Sequence, residues 1–250
     1  MGGVAVEGKV VLITGANRGI GKALVRKALE LGAKKVYATA RNESKLTEIK
    51  TFDSSRVVTL ALDVTNQEQV NAAAQTASDV EIVINNAGMG SGAKLTADDV
   101  VEKSKLEMDT NFYGPMRMGA AFAPILKGNG GGAIANILSV AGLVNFPFAP
   151  TYSTSKAAGH SLTQGQRAVL AGQKTLVCGV YPGPIDTDMT AGMTLEKGST
   201  EEVAAAVFEG LTRGTEEIFT DKMARVLAQG IKVDAKALEK SIAAQYQNVR

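Results

Sequence analysis

Tyr152 and Lys156 are the two residues whose types and spacing most directly indicate chemistry. They are four positions apart, so on a helix they share one face. A free tyrosine has a pKa near ~10, which is too high for efficient proton exchange at neutral pH. A neighbouring ammonium stabilises the phenolate and lowers that pKa by ~1–3 units. The pair therefore predicts proton transfer to or from an oxygen, although such a pair often arises by chance.

Further polar residues follow the ends of two predicted strands. Residues Asn85–Gly88 lie at the end of one strand, and Ser139 comes after the next strand along the chain. In an open α/β sheet, ligands bind beyond the carboxyl ends of the strands. We therefore expect the Ser139 hydroxyl to hold a substrate oxygen near Tyr152. The single histidine, His160, lies one turn beyond Lys156, and we expect it to have a packing or interface role.

Residues Thr14–Gly21, with the sequence Thr-Gly-Ala-Asn-Arg-Gly-Ile-Gly, join the first predicted strand to an amphipathic helix. Glycines allow a tight turn, and without a Cβ the backbone approaches a pyrophosphate closely. The helix N-terminus offers free N–H groups and partial positive charge to the phosphates. A turn without a ligand is the alternative, but the position in the first βα unit favours a dinucleotide site. The expected contacts are Gly15, Asn17, Arg18, Gly19, Ile20 and Gly21.

The residues at the end of the second predicted strand bear on the choice of nicotinamide cofactor. An NAD site usually has a carboxylate about twenty residues beyond the glycines, where it binds the ribose 2′-hydroxyl. This chain has Tyr37–Arg41 there, and no acid before Glu43. Because guanidinium groups match phosphate geometry, Arg18 and Arg41 predict a clamp on a 2′-phosphate, and therefore NADP(H). The alternative is two solvated surface arginines.

Short β-branched runs alternate with longer helical patterns, which is typical of βαβ units around a parallel sheet. The predicted strands are Lys9–Thr14, Lys35–Ala40, Arg56–Leu62, Glu81–Asn85, Ala133–Leu138, Thr175–Tyr181 and Glu217–Thr220. Several are apolar almost throughout, as expected for strands covered by helices on both faces. No linker or internal repeat divides the chain. The sequence therefore predicts one α/β domain over residues 1–250, with a Rossmann-like doubly wound parallel sheet of about seven strands.

Three helix starts are recognisable. Residues Thr65–Glu68 and Ser199–Glu202 both fit the capping box, and a helix is predicted over Gly19–Leu31. Asp63, which closes the third strand and precedes Val64, is expected to meet the adenine edge of the cofactor. The alternative is that Asp63 caps the following helix.

Composition limits the classes of protein. The chain has 27 basic and 25 acidic side chains, and its net charge of +2 gives no general field for nucleic acid or an anionic membrane. The single Cys178 excludes an internal disulfide framework, and its apolar neighbours predict a buried core thiol. We expect no metal site. There is no run of ~18 apolar residues and no signal-peptide pattern, so we expect a cytoplasmic protein.

Two more motifs complete an ordered set: Asn111 within Met108–Gly114, and the Pro-Gly-Pro-Ile-Asp-Thr run of Pro182–Thr187. With them the chain resembles the short-chain dehydrogenase/reductase superfamily from roughly Gly8 to Met189. The resemblance is to its compact branch of about this length, and in particular to NADPH-dependent carbonyl reductases. The matching motifs are Thr14–Gly21, Asp63, Asn85–Gly88, Asn111, Ser139, Tyr152, Lys156 and Pro182–Thr187.

The resemblance implies a role for each matching position. Tyr152 would be the general acid in reduction and the base in oxidation, and Lys156 would lower its pKa and bind the nicotinamide ribose. Ser139 would hydrogen-bond the carbonyl. Asn111 would bend its helix and hold a water for a proton relay. The other implied cofactor contacts are Asn86, Ala87 and Gly88 at the ribose, and Pro182, Gly183, Ile185 and Thr187 at the nicotinamide. The cofactor itself supplies the hydride.

Two features depart from the family pattern. The segment of about residues 188–199 is short, so we expect a small substrate lid. The usual ending, a Thr-Gly-Gln segment leading to Val-Asp-Gly-Gly, is replaced by Arg213–Phe219 and a helical tail over about residues 221–250. In many relatives that ending helps to build the tetramer interface. We therefore expect a monomer or homodimer at least as readily as a tetramer.

The expected substrate pocket is apolar, with walls formed by Met89, Leu143, Val144, Phe146, Phe148, Met189 and Met193. Such a lining suits a hydrophobic ketone or aldehyde, although each of these residues fits plain core equally well. The favoured function is an NADPH-dependent carbonyl reductase, and an NAD-linked secondary alcohol dehydrogenase is the main alternative. A catalytically silent NADP-binding sensor or scaffold is disfavoured, because it has no use for the complete catalytic set. A sugar-nucleotide epimerase is also disfavoured, because it normally needs an extra substrate domain that 250 residues do not accommodate.

Overall fold

The seven predicted strands form one parallel sheet in the structure, a computed structural model that describes residues 2–248. They are β1 (Val10–Ile13), β2 (Lys35–Ala40), β3 (Val57–Ala61), β4 (Ile82–Asn85), β5 (Gly132–Ile137), β6 (Thr175–Tyr181) and β7 (Glu217–Phe219). Their spatial order is β3-β2-β1-β4-β5-β6-β7. The order reverses between β1 and β4, which is the switch point where ligands bind in such sheets. The prediction of a Rossmann-like doubly wound sheet is confirmed.

Helices connect the strands and cover both faces of the sheet. They are α1 (Gly19–Glu30), α2 (Thr47–Lys50), α3 (Gln67–Thr76), α4 (Val100–Met108), α5 (Gly114–Gly128), α6 (Pro150–Leu170), α7 (Thr200–Arg213) and α8 (Lys222–Asn248). None of the helices within residues 2–248 is both long and apolar enough to cross a membrane.

The two predicted capping boxes have different outcomes. The box at the start of α7 is confirmed, because the Ser199 hydroxyl accepts from the Glu202 N–H at 3.1 Å and the Glu202 carboxylate accepts from the Ser199 N–H at 2.8 Å. The box predicted at Thr65–Glu68 is wrong. Asn66 caps α3 instead, since the Thr65 hydroxyl donates to the Asp63 carboxylate at 2.7 Å.

Alternate side chains of the central strands pack into two separate hydrophobic layers, because successive residues of a strand point to opposite faces. In β1, Val11 and Ile13 pack with α1 and α7, whereas Val10 and Leu12 pack with α3 and α5. Cys178 of β6 is fully buried in the first layer, and burial raises the pKa of its thiol to about 12. The prediction of a core thiol is confirmed, and such a thiol is chemically inert.

The predicted lid is a short loop with a closed base. It begins with a single 3₁₀ turn, Asp188–Thr190, and contains no helix before α7. A bridge between Ile185 and Gly198 joins its two ends, and the Asp186 N–H donates to the Gly198 carbonyl at 2.9 Å. The segment is therefore a short loop whose two ends are held together, and Asp188, Met189 and Thr190 line the cleft.

The helical tail expected over about residues 221–250 corresponds to α8, and its last two residues lie outside the described part of the chain. At Asp234 the backbone is extended, with φ of −158°, so α8 consists of two helical halves. The Asp234 carboxylate accepts from the Ala237 N–H at 2.9 Å and so caps the second half.

Candidate active site

A cleft of about 1220 Å³ lies along the carboxyl edge of the sheet and is lined by residues that follow β1 through β6. All of the positions predicted to contact a cofactor line it. They are Gly15, Asn17, Arg18, Gly19, Ile20, Gly21, Arg41, Asp63, Val64, Asn86, Ala87, Gly88, Tyr152, Lys156, Pro182, Gly183, Ile185 and Thr187. The fold therefore brings together residues that are far apart in the sequence, as the rule for doubly wound sheets predicts.

The glycine loop Thr14–Gly21 is fastened to the residues after β4. The Thr14 hydroxyl accepts from the N–H groups of Asn86 and Ala87, both at 2.9 Å, and the Asn86 side-chain amide donates to the Thr14 carbonyl at 2.8 Å. Gly15 has a left-handed backbone, with φ of +64°. A Cβ on Gly21 would lie 2.6 Å from the Asn86 amide nitrogen. Glycine is therefore required by conformation at one position and by space at the other.

The two basic residues expected to bind a 2′-phosphate, Arg18 and Arg41, both line the cleft. Arg41, directly after β2, is exposed and lines the cleft, and it forms no ion pair within residues 2–248. Arg18 forms an exposed ion pair with Asp188. The clamp of Arg18 and Arg41 on a 2′-phosphate stays a prediction. Lys45, one turn beyond Arg41, also lines the cleft. The sequence reasoning missed Lys45, although a second basic residue after β2 is a visible signal.

Asp63 and Val64 line the cleft directly after β3. The Asp63 carboxylate accepts from the Thr65 N–H at 2.9 Å as well as from its hydroxyl. The alternative role as a helix cap is wrong, because Asn66 caps α3. Val64 is buried, and its side chain packs against the start of α5, where a Cβ on Gly114 would lie 2.8 Å from it. Asp63 lies at the edge of the cleft, and its expected contact with the adenine of the cofactor stays a prediction.

Helix α6 brings Tyr152 and Lys156 to the same cleft, as their spacing predicts. The Lys156 Nζ lies 5.6 Å from the centre of the Tyr152 ring and donates to the Ile137 carbonyl at 2.8 Å. Ser139, after β5, also lines the cleft, and its hydroxyl accepts from the Ala141 N–H at 3.1 Å. Three polar side chains from two elements therefore meet at one place.

Burial controls the ionisation of both groups on α6. It raises the pKa of Tyr152 to about 12, an increase that the Ser139 hydroxyl opposes and the negative charge of Glu107 enhances. Burial lowers the pKa of Lys156 to about 8. In the protein alone, desolvation dominates the pKa of Tyr152, and the Lys156 ammonium is bound to the Ile137 carbonyl. Tyr152 is therefore protonated at neutral pH, which is the form a general acid requires. The lowering of the Tyr152 pKa by Lys156, which efficient proton exchange at neutral pH requires, stays a prediction.

Asn111 is buried in a π-helical stretch, Asp109–Tyr113, between α4 and α5. Its side-chain oxygen accepts from the Met89 N–H at 2.9 Å, and its amide donates to the Met89 carbonyl at 2.8 Å and to the Ser155 hydroxyl at 2.9 Å. These bonds tie the loop after Gly88 to α6. Single π-helical turns are frequent at functional sites. The water relay implied for Asn111 stays a prediction.

Glu107 is a buried carboxylate near this site that the sequence reasoning missed. It is fully buried, and its Oε1 accepts from both the N–H and the hydroxyl of Ser91 at 2.7 Å. Its Oε2 has no hydrogen-bond partner among the described residues. A Cβ on the neighbouring Gly90 would lie 3.5 Å from the Tyr152 ring, so this loop borders the tyrosine. The available sequence signal is an acid four positions before Asn111.

The predicted apolar pocket is only partly formed. Met89 and Met189 line the cleft, whereas the other predicted residues, Leu143, Val144, Phe146, Phe148 and Met193, do not. Leu143 and Phe146 pack instead in a small separate core with residues of α8. Phe148 is 45% exposed, and its ring lies 5.4 Å from that of Phe146. Leu143 and Phe146 are outside the cleft because the tail helix, whose position the sequence does not reveal, packs against them.

His160 has the packing role expected from the sequence. Its Nδ1 lies 2.7 Å from the Tyr181 hydroxyl, and the two rings are in edge contact at 5.7 Å. Tyr181 in turn stacks on Phe219 of β7. His160 does not line the cleft.

One known protein family matches most of the chain. The family model of the short chain dehydrogenases matches residues 9–198. The chain therefore belongs to the short-chain dehydrogenase family, which is a family of oxidoreductases.

The chain is also similar to individual relatives and solved structures. It is 35% identical to an uncharacterized oxidoreductase of Staphylococcus aureus over 215 residues, which is 82% of this chain and 91% of that protein. A short chain dehydrogenase from Burkholderia cenocepacia, solved in complex with NADP, has 40% sequence identity and a TM-score of 0.90, covering 95% of this chain and 98% of that one. A gluconate 5-dehydrogenase from the same species, in complex with NADP and tartrate, has 27% identity and a TM-score of 0.77, covering 84% and 90%.

Proposed function

We propose that the protein reduces a hydrophobic ketone or aldehyde with NADPH in a reversible reaction. The observation that carries the proposal is the meeting of Tyr152, Lys156 and Ser139 at a cleft entered by the glycine loop. When bound, the cofactor supplies the hydride that forms the new C–H bond, and the protein supplies the proton that forms the O–H bond.

The residues present fit a dinucleotide. The glycine loop has no Cβ at Gly15, Gly19 or Gly21, so its backbone can approach a pyrophosphate at the start of α1. NADP(H) is favoured because Arg41 and Lys45 line the cleft after β2 and no acid occupies that position. The NADP bound in the Burkholderia relative supports the same cofactor. An NAD-linked alcohol dehydrogenase remains the alternative.

Proton transfer in this proposal belongs to Tyr152. Its raised pKa keeps the phenol protonated at neutral pH, and the Ser139 hydroxyl beside it is placed to hold the carbonyl oxygen. The pKa of Lys156 is lowered to about 8, so its amine is still protonated at neutral pH. The positive charge of this ammonium stabilises the negative charge that develops on the phenol oxygen. Asn111 acts by holding the loop around Met89.

Apolar lining favours an apolar substrate. Met89 and Met189 border the cleft near Tyr152, where a Cβ on Gly90 would lie 3.8 Å from the Met189 sulfur. Methionine side chains adapt to irregular apolar shapes, so a range of aryl or alkyl carbonyls fits such a wall. A cytoplasmic location and a monomeric or dimeric state stay predictions from the sequence.

The test is NADPH consumption across a panel of aryl ketones, aldehydes, β-keto esters and quinones, with NADH run in parallel. We expect turnover of apolar carbonyls with NADPH and weaker turnover with NADH. Turnover only with NADH would replace the proposal by its NAD-linked alternative. Tight NADPH binding without turnover of any panel member would favour a binding protein instead.

A charge-removing change at Glu107 tests the electrostatics of the site. Glu107→Gln removes a negative charge that raises the pKa of Tyr152, so this pKa is expected to fall. Alcohol oxidation requires the phenolate, and its rise with pH should therefore begin at lower pH than in the wild type. The measurement is kcat/KM for oxidation as a function of pH. Ser91→Ala is the matched control, because it removes a hydrogen bond to the same carboxylate but keeps the charge; identical shifts in both variants would contradict a charge effect.

A further inference from the structure

Asp221 is a buried carboxylate at the junction of β7 and α8, and it is 7% exposed. Its Oδ1 accepts from the Ala224 N–H at 2.9 Å, so it caps the first turn of α8. Its Oδ2 accepts from the Gly183 N–H at 2.7 Å and from the Thr220 hydroxyl at 2.9 Å. One side chain therefore connects the tail helix to the segment that lines the cleft after β6.

The packing around this carboxylate is close on two sides. A Cβ on Gly183 would lie 2.7 Å from the Asp221 Oδ1, and a Cβ on Gly198 would lie 3.2 Å from the Asp221 Cβ. Gly198 forms the bridge with Ile185 that closes the base of the lid. Asp221 therefore touches both ends of the loop that runs from the cleft through the lid.

Hydrogen-bond donors, rather than a cationic side chain, stabilise the negative charge of Asp221. No ion pair involves it in the part of the chain that the structure describes. Two N–H groups, one hydroxyl and the positive end of the α8 dipole surround it instead. A buried carboxylate is stable only when its oxygens are satisfied in this way, which fixes the position of the Gly183 N–H relative to α8.

We propose that Asp221 is a positioning residue that holds the Pro182–Thr187 segment in place for the nicotinamide end of the cofactor, with α8 as its support. The part of the inference that concerns the cofactor rests on the proposed function. Pro182, Gly183, Ile185 and Thr187 all line the cleft, whereas Asp221 does not. The tail that replaces the usual family ending thus contributes to cofactor binding through one side chain.

Asp221→Asn is the informative variant, because it preserves the shape of the side chain and one acceptor oxygen. If that oxygen stays on the Ala224 N–H, the new amide group faces the Gly183 N–H, and two donors then oppose each other. We expect the dissociation constant for NADPH to rise about tenfold or more, in line with loss of a hydrogen bond to a charged group. The measurement is NADPH fluorescence titration, with hydrogen exchange of the 182–187 segment as a second readout.

Asp234→Ala provides the matched control, since Asp234 also caps a half of α8 but is exposed, and among the described residues its carboxylate bonds to the Ala237 N–H alone. Asp234→Ala loses its cap, whereas Asp221→Asn replaces a charged acceptor by a neutral one, and both should melt at somewhat lower temperature. Only Asp221→Asn should weaken NADPH binding and speed exchange in the 182–187 segment. Equal effects of the two variants on both readouts would overturn the proposal. If the wild type binds no NADPH, the proposed function fails, while the exchange measurement still decides the positioning role.

Discussion

Tyr152→Phe is expected to lower kcat for carbonyl reduction by about 10²–10⁴-fold, which is the usual contribution of a positioned general acid. The change removes one hydroxyl and keeps the ring that packs beside Gly90 and Met189. Tyr152 is protonated at neutral pH and therefore holds the proton that it donates in reduction. In the variant, the developing alkoxide would have to take its proton from water.

The measurement combines steady-state kinetics with direct NADPH titration. NADPH binding should stay nearly intact, because the cofactor loop and Lys156 are unchanged. Tyr113→Phe is the matched control, since Tyr113 lies outside the cleft and is 46% exposed. Wild-type turnover in Tyr152→Phe would assign proton transfer to another group and would remove the main support for the proposed mechanism.

Arg41→Asp is expected to reverse or strongly reduce the preference for NADPH over NADH. A guanidinium bound to a phosphate forms charge-assisted hydrogen bonds, and the loss of one such contact corresponds to about 10–100-fold in affinity. The new carboxylate would repel the 2′-phosphate and could bind a 2′-hydroxyl instead. The quantity to measure is the ratio of kcat/KM for the two cofactors.

Arg213→Asp serves as the control for this charge change, because Arg213 is exposed on α7, pairs with Glu209 and does not line the cleft. It alters the net charge equally but should leave the cofactor ratio unchanged. An unaltered ratio in Arg41→Asp would assign recognition of the 2′-phosphate elsewhere, and Lys45 would be the next residue to replace.

The sheet was predictable because its signal is local and repeated. Each strand is a short apolar run, and the observed bounds of all seven differ from the predicted ones by no more than one residue at either end. The cofactor cleft follows from the same pattern, since the carboxyl ends of parallel strands share one edge. Residues such as Gly21 and Asn86 were identifiable from motifs that directly follow these strands.

Interactions between distant elements were not predictable. The local sequence does not indicate that Lys156 donates to the Ile137 carbonyl or that Arg18 pairs with Asp188. The pocket residues Leu143 and Phe146 were misplaced because α8 folds back over them. In each case the deciding partner is many residues away, and polar or apolar character alone does not select it.

Chemical labelling of Cys178 can report how often the sheet around this residue opens. It is the single cysteine of the chain, fully buried in β6 between β5 and β7. A thiol reagent reaches it when β6 separates from its surroundings, and the rate of labelling then measures how often that event occurs. Because the chain contains no tryptophan, the fluorescence of a bound dinucleotide can be followed in the same sample without an indole signal. Loss of ligand and opening of the core are therefore separable in one experiment on the unmodified protein.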